Sequence, residues 1–423
     1  MKAVIMAGGF GKRLQKLSGD RPKPMVEISG RPVLEYQIEN LRRFGIKDII
    51  IVVHHLKEKI MRYFGDGSLM NVNISYYEEE TPLGTAGALF RIKEQLTDDF
   101  LLINGDLIFS VDFSRMIDFH RRSDALATLF VHPNSHPYDS ELIVCTKENV
   151  VTDWFKSDGR GNYTNCVNAG IHILSKKVLE RTPAQERLNL RADVLEPLIP
   201  TGRIYAYRSA EYVKDMGTSD RLRRVTADVE KGIVLGKRAD KKQKAVFLDR
   251  DGTINKYKGY ITSPNQLELI KGAADAVKRI NKSGYLAIVV TNQPSIAMGR
   301  ISYAVLDEIH AKLDTLLGEE GAYIDALYFC PHHPDGGFEG EVSELKKKCD
   351  CRKPSGGMIR QAAEDYNIDL SRSFMVGDSE RDVLAGLDAG CTPIFLTGSD
   401  NPLNVQNVKK YRTLADFVKE EID

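Results

Sequence analysis

The sequence predicts an α/β protein of two domains, each built on an open, mostly parallel sheet. Three observations carry that reading. With 423 residues the chain exceeds what one ordinary core organises, at about 150 residues per domain. Short runs rich in Val and Ile alternate with amphipathic segments, as strands buried on both faces alternate with the helices that cover them. The alternation stops at Gly236–Lys244, a charged stretch GKRADKKQK with few apolar residues, and then starts afresh. Domains are therefore expected at 1–235 and 245–423, with 236–244 as the linker.

Taken in order, KAVIMAG opens the chain as a strand, and PVLEYQIENLRRFG follows with Leu34, Ile38, Leu41 and Phe44 at helical spacing. Ile49–Val53 is a continuous apolar run, expected of a central strand, and DFLLINGD ends another. Beyond the linker, KAVFLDRDG, YLAIVVTNQ, SFMVGDS and TPIFLTG repeat the pattern. Ligands of such sheets bind beyond the carboxyl ends of the strands, so motifs there are the candidate sites.

Lys plus Arg and Asp plus Glu both number 59, so no global charge favours nucleic acid or an anionic membrane. No secretory signal pattern and no apolar run near 18 residues is present, and the chain is expected in the cytoplasm. Thiols stay reduced there, so a tight Cys/His group reads as metal-binding. Cys145, Cys166 and Cys391 stand alone in apolar contexts, as small buried hydrophobes do.

In the N-terminal half, AGGFGKRLQKLSGDRPKP follows the first strand. Gly8, Gly9 and Gly11 allow backbone N–H groups to approach phosphate oxygens, and Arg13 and Lys23 add positive charge. PLGTAGA supplies a second glycine-rich loop at Gly84, INGD ends a strand at Asp106, and DMGT presents Asp215. Two carboxylates at the ends of separate elements suit Mg²⁺, which takes one or two carboxylates plus substrate oxygens.

In this order the motifs resemble the sugar-1-phosphate nucleotidyltransferases over about the first 235 residues. SGDRPKPMVEISGRPVLEYQIENL and YFGDGSLMNVNISYYEEETPLGTAGAL are most similar to the heptose-1-phosphate guanylyltransferases. The resemblance implies a Rossmann-like, GT-A-like sheet. It also implies that Gly8, Gly9, Gly11, Arg13 and Lys23 hold the nucleotide and leaving pyrophosphate, and that Gly84 faces the base. By the same likeness Asp106 and Asp215 carry Mg²⁺, and Asn168 of VNAG binds the sugar. Phe155-Lys156-Ser157 stands where the family has Glu-Lys-Pro.

In the C-terminal half a strand runs into Asp249-Arg250-Asp251-Gly252-Thr253. Asp249 and Asp251 would point to opposite sides of an extended chain unless the backbone turns, and Gly252 permits that turn. One carboxylate can then attack phosphorus while the next handles protons. Further on, Cys330, one of His332 or His333, Cys349 and Cys351 offer four N/S ligands, a closed tetrahedral set for a structural Zn²⁺. The intervening loop has too few apolar residues to order itself. Fixing the metal would also fix Arg352 and Lys353, which follow the last Cys.

With Thr291 ending YLAIVVTNQ, Lys353 in CRKP, and Asp378 and Asp382 in GDSERD, this half resembles the haloacid dehalogenase-like phosphatases. The resemblance makes Asp249 the nucleophile and Asp251 the general acid/base, with Thr291 and Lys353 on the transferring oxygens. It places Mg²⁺ at Asp249, Asp378 and the Asp251 position, adds Asn292 and Arg352 as substrate contacts, and selects His332 over His333 for zinc. Asp382 either orients this group or serves as a helix N-terminal carboxylate. The segments between motifs leave no room for a cap domain, so a capless Rossmannoid sheet is expected. DRDGTINKYKGYI, CPHHPDG and CDCRKPSGGM are most similar to the heptose-1,7-bisphosphate 7-phosphatases, with histidinol phosphatases as near neighbours. Met298 stands where the former often have Arg.

The two resemblances together imply successive steps. Heptose 1,7-bisphosphate would lose its C7 phosphate, and heptose 1-phosphate would take GMP from GTP to give GDP-heptose and pyrophosphate, in the α series. The partners expected are these small molecules, with no nucleic acid and no membrane; a homo-oligomer is compatible with the sequence. Other sugar phosphates, histidinol phosphate, another NTP, or a catalytically silent nucleotide-sensing N-terminal module are the alternatives.

Overall fold

The computed structural model describes residues 1–9, 21–156, 161–182, 187–398 and 401–422. Gly11 and Arg13 lie outside the described residues. The chain forms two compact units. One comprises Met1–His132, Ile143–Phe155 and Asn168–Arg238; the other comprises Pro133–Leu142, Lys156–Val167 and Ala239–Asp423.

Among the described residues of the first unit the strands longer than two residues are β1 (Lys2–Met6), β2 (Asp48–Val53), β3 (Asn73–Glu78), β4 (Asp99–Asn104), β5 (Leu107–Ser110), β6 (Ala127–His132), β7 (Glu141–Cys145), β8 (Val151–Lys156), β9 (Val167–Ser175), β10 (Ile204–Arg208) and β11 (Tyr212–Asp215). Nine of them form one sheet in the order β8-β7-β9-β4-β1-β2-β3, with β6 pairing β9 and β10. Its centre is parallel: β1 lies between β4 and β2, and β2 pairs with β3. The apolar run Ile49–Val53 is buried because both faces of β2 are covered. Helix α1 (Val33–Arg43) buries Leu34, Ile38 and Leu41, the stripe its spacing predicts. A separate antiparallel ladder joins β5 and β11, with helix α2 (Ser219–Glu230) following.

The second unit has a six-stranded sheet of β12 (Lys244–Leu248), β13 (Tyr285–Asn292), β14 (Ala326–Cys330), β15 (Phe374–Gly377), β16 (Thr392–Leu396) and β17 (Lys409–Tyr411). Their order is β14-β13-β12-β15-β16-β17, and every pairing is parallel. Strand order reverses at β12, so a crevice opens beyond its carboxyl end, where Asp249 begins. Helices α3 (Ala273–Lys282), α4 (Tyr303–Glu319) and α5 (Glu380–Ala389) bury Val277, Ile280, Leu306, Ile309, Leu313 and Val383. The link from β12 to β13 holds α3 and a short turn at Pro264–Gln266, with no inserted cap among the described residues. No helix of the described residues is long and apolar enough to cross a membrane.

Candidate active sites and metal centre

In the first unit, the turn Asn104–Leu107 carries Asp106 and is held from beneath by α1. Gln37, fully buried, donates from Nε2 to the carbonyls of Asn104 (3.0 Å) and Leu107 (2.8 Å). Asp106 pairs with Lys23. The β5–β11 ladder sets Asp215 opposite Leu107, and the Met216 N–H donates to the Asp106 carbonyl at 3.3 Å. The two carboxylates predicted for Mg²⁺ therefore share one corner. Arg221, in the first turn of α2, donates from one nitrogen to both Asp215 oxygens at 2.9 Å, and the Gly217 N–H adds a bond of 2.7 Å. Burial opposes ionisation of Asp215, but Arg221, the Gly217 N–H and Lys23 outweigh it and hold the carboxyl below its usual range.

The glycines behave unequally. A Cβ on Gly8 would sit 2.8 Å from Glu79 Oε2 and 3.3 Å from His54 Cβ, so a side chain there would displace the Glu79 carboxylate. Gly9 meets nothing within 4 Å. Gly84 has φ +84° and packs on the Leu188 backbone, where a Cβ would collide. Asn168 lies on β9, and its Oδ1 accepts from the Gly170 N–H (3.3 Å) and from His172 Nε2 (3.1 Å). An amide oxygen only accepts, so Nε2 carries the proton and the buried Nδ1 lone pair is left without a partner. Burial pushes His172 down to about 4.

Sequence reasoning passed over Glu79. Its side chain is buried beside Gly8 at the start of the Gly84 loop, with Oε1 lacking any hydrogen-bond partner. Burial raises its pKa against the opposing Leu83 N–H and His54.

In the second unit, Lys353 is 3% exposed and contacts Asp249 Oδ1 at 2.8 Å and Asp382 Oδ1 at 2.6 Å. Asp249, Asp378 and Asp382 each bring an oxygen within 4.8 Å of the others, a set that could hold a cation. Burial pushes Asp249 up to about 7, with Lys353 opposing and Asp382 and Asp251 reinforcing. Burial and Asp382 likewise raise Asp378 to about 6. Carboxyls pressed together in this way fit a divalent cation, which would relieve both effects.

The Asp251 side chain lies outside that trio. Arg250, fully buried, donates from Nη2 to both its oxygens (3.1 and 2.8 Å), Asn255 adds 2.9 Å and Gln293 adds 2.9 Å. Any share of Asp251 in the cation site thus runs through its backbone. Asp382 takes its place among the carboxylates: one oxygen accepts from the Ser379 N–H and Oγ, capping α5, and the other faces Lys353. Gly252 (φ +87°) and Gly377 are glycines because a Cβ would strike Asp378 and Asp382 respectively. Thr291, 1% exposed, accepts from Gln293 at 2.9 Å. Asn292, expected at the substrate, clamps the Lys353 backbone, accepting from its N–H and donating to its carbonyl, both at 3.0 Å. Asn401 Nδ2 donates to the Asp378 carbonyl at 2.9 Å and to its Oδ2 at 3.0 Å.

Cys330 ends β14 directly across from Asn292. Its sulfur lies 3.6 Å from Cys349 and 3.4 Å from Cys351; Cys349 and Cys351 are 3.3 Å apart, and His332 Nδ1 is 3.3 Å from Cys351. The cysteines are free thiols. A tetrahedral zinc with ligands about 2.0–2.3 Å away would set its ligand atoms roughly 3.5–3.8 Å apart, so this spacing fits with slight relaxation. Burial raises the Cys330 and Cys351 thiols, a cost that metal ligation removes. His333 turns away, with Nδ1 at the Asp335 backbone. Arg352 donates to the His332 carbonyl at 3.1 Å, tying that guanidinium to the metal loop.

Residues 2–232 match the nucleotidyl transferase family model, and residues 350–420 match the HAD-hydrolase-like model. The chain is 40% identical over 177 residues to D-glycero-beta-D-manno-heptose-1,7-bisphosphate 7-phosphatase of Haemophilus ducreyi, a match covering 42% of this chain and 92% of that protein. Among solved structures, HddC from Yersinia pseudotuberculosis is 28% identical and covers 54% of this chain and 99% of its own, with a TM-score of 0.48. A structure from Bacillus anthracis described as a glucose-1-phosphate thymidylyltransferase is 20% identical, covers 54% of this chain and 94% of its own, and shares the N-terminal fold at a TM-score of 0.50. A transferase model reaching across more than half the chain, then a stretch aligned with nearly all of a sugar-bisphosphate phosphatase, makes this a member of the nucleotidyl transferase family whose C-terminal half belongs with the HAD-like heptose-bisphosphate 7-phosphatases.

Proposed function

We propose that the chain is a bifunctional enzyme of nucleotide-activated heptose synthesis, its activities divided at residues 236–244. The C-terminal site removes the C7 phosphate of D-glycero-D-manno-heptose 1,7-bisphosphate, and the N-terminal site converts the heptose 1-phosphate and GTP into GDP-heptose and pyrophosphate. The observation that carries this reading is the partly buried Asp249 carboxylate contacted by Lys353 beside Asp378 and Asp382, in a half that aligns with 92% of a heptose-bisphosphate phosphatase.

Asp249 attacks the C7 phosphorus while the bond from phosphorus to the C7 oxygen breaks. Asp251, turned inward from Arg250, protonates the departing oxygen and then takes a proton from the water that hydrolyses the aspartyl phosphate. Lys353 and Thr291 steady the transferring oxygens. Magnesium bound at Asp249 and Asp378 supplies the positive charge that lets an anionic nucleophile meet an anionic ester. Cys330, His332, Cys349 and Cys351 would hold a structural zinc, which when bound would fix the loop that carries Arg352 and Lys353.

At the N-terminal site, Lys23 and the glycine loop orient the triphosphate so that an oxygen of the sugar phosphate attacks the α-phosphorus in line, and Asp106 and Asp215 supply oxygens for magnesium. Glu79 supports GTP over ATP: an acceptor-only carboxylate beside the base loop matches the N1–H and N2–H₂ donors of guanine, which adenine lacks. The phosphatase relatives are named for the β anomer; we place this chain in the α series, with the guanylyl route. The test supplies α- or β-heptose 1,7-bisphosphate with each of four NTPs and Mg²⁺, and identifies products by mass. GDP-heptose from the α anomer is expected. UDP- or ADP-heptose as the main product, or phosphate release from histidinol phosphate at an equal rate, overturns the assignment.

A further inference from the structure

The two clefts differ in how their charges stand before any substrate arrives. At the phosphatase site four carboxylates, Asp249, Asp251, Asp378 and Asp382, face two cations, Lys353 and Arg250. That site has an excess of negative charge. At the transferase site, among the described residues, Asp106 is paired with Lys23 and Asp215 with Arg221, so each of these two carboxylates has its own cation. The Arg221 nitrogen is 2.9 Å from both Asp215 oxygens and occupies the lone pairs a metal would use.

Arg221 is also the third residue of the twelve-residue helix α2, capped by Thr218. The first turn of a helix is where a cation is least favoured by the helix dipole. A positive side chain placed there against that field is explained by a negative partner, and it would be repelled by a second cation arriving at the same carboxylate. An incoming triphosphate gives it somewhere to go.

We propose that Arg221 is a positioning residue for nucleotidyl transfer: it holds Asp215 in place of a metal in the free enzyme, then moves to a phosphate oxygen of the bound nucleotide and releases Asp215 to Mg²⁺. Arg221 thereby exchanges a carboxylate for a phosphate oxygen, and the Mg²⁺ that arrives with the nucleotide takes over the carboxylate it leaves. It follows that the phosphatase site takes up metal without substrate, whereas the transferase site takes it up together with the nucleotide. The inference rests on the transferase reading of the N-terminal half but not on the identity of the sugar or base.

The experiment uses the full-length, zinc-loaded chain and counts Mn²⁺ by electron paramagnetic resonance, without nucleotide. The parent is expected to bind one Mn²⁺ per chain, and D249N none. R221Q is expected to bind a second, at least tenfold more tightly than the parent does, and D215N/R221Q to lose it again. R221K, which restores the charge, returns the count to one. Calorimetry with inorganic triphosphate in magnesium-free buffer gives the second readout: R221Q should bind it about tenfold more weakly. An R221Q protein that binds the same number of Mn²⁺ ions as the parent, or holds triphosphate equally well, overturns the proposal. Activity with other sugars or NTPs bears on the proposed function alone and leaves these counts unchanged.

Discussion

Replacing Lys353 with Met removes the ammonium seated between Asp249 and Asp382 while keeping most of its volume. The contacts are 2.8 and 2.6 Å and the lysine is 3% exposed. At an effective dielectric constant near 20 each contact carries about 6 kcal/mol of gross attraction. Dehydration of the lysine offsets most of it. What remains after substitution is one buried and one partly buried carboxylate without this counter-charge, a situation that costs about 3–5 kcal/mol. For a unit of this size that lowers the melting temperature by roughly 10 °C. The assay is differential scanning calorimetry of the full-length, zinc-loaded protein in magnesium-free buffer, following the transition that the substitution moves. Added Mg²⁺ should recover part of the loss by supplying another cation, though phosphate release stays abolished. Lys348→Met, at an exposed lysine in the same loop, is the control and should shift the transition by less than about 1 kcal/mol equivalent. If K353M melts with the parent in magnesium-free buffer, or if K348M costs as much, the buried-pair reasoning is wrong.

Three further outcomes are expected. His172, pushed down to about 4 from its ordinary 6.5, is neutral in the fold, so the unfolded chain takes up a proton first as pH falls. Its contribution is complete above pH 6.5 and about 3 kcal/mol is lost by pH 4; denaturant titrations should show that slope in the parent and not in H172Q. Cys349→Ser should lower bound zinc, read by atomic absorption, and cut phosphatase kcat/KM at least tenfold while leaving pyrophosphate release intact. Glu79→Gln should reduce the preference for GTP over ATP in kcat/KM by about fivefold or more, a loss of about 1–3 kcal/mol of discrimination, measured by coupled pyrophosphate assay.

The fold was readable because its strands are buried on both faces: runs such as Ile49–Val53 and Val246–Leu248 leave little choice of environment. The candidate carboxylates were visible because a few adjacent residues at a strand end carry them, as in Asp249-Arg250-Asp251. What sequence did not disclose is who restrains whom. Gln37 reaches a turn 67 residues away, and Asn292 grips a backbone 61 residues on; neither spacing has a period to read. The resemblance implies a substrate contact for Asn292, and its amide matches both backbone groups of Lys353. Asp382 was divided between two roles, and its two oxygens perform one each, capping α5 and facing Lys353. Arg221 and Glu79 sit in polar stretches where charge is ordinary, and only burial and partner distances single them out.

The two-stranded ladder of β5 and β11 determines more than its length suggests. Because side chains alternate along a strand, sliding β11 by a single residue would turn Asp215 to the opposite face, away from Asp106. A slide of two would restore the face but displace the carboxylate by nearly 7 Å. Nucleotidyl transfer therefore hangs on the pairing phase of four residues, Tyr212–Asp215 against Leu107–Ser110, and one inserted residue in either strand should silence that reaction while sugar-phosphate hydrolysis continues.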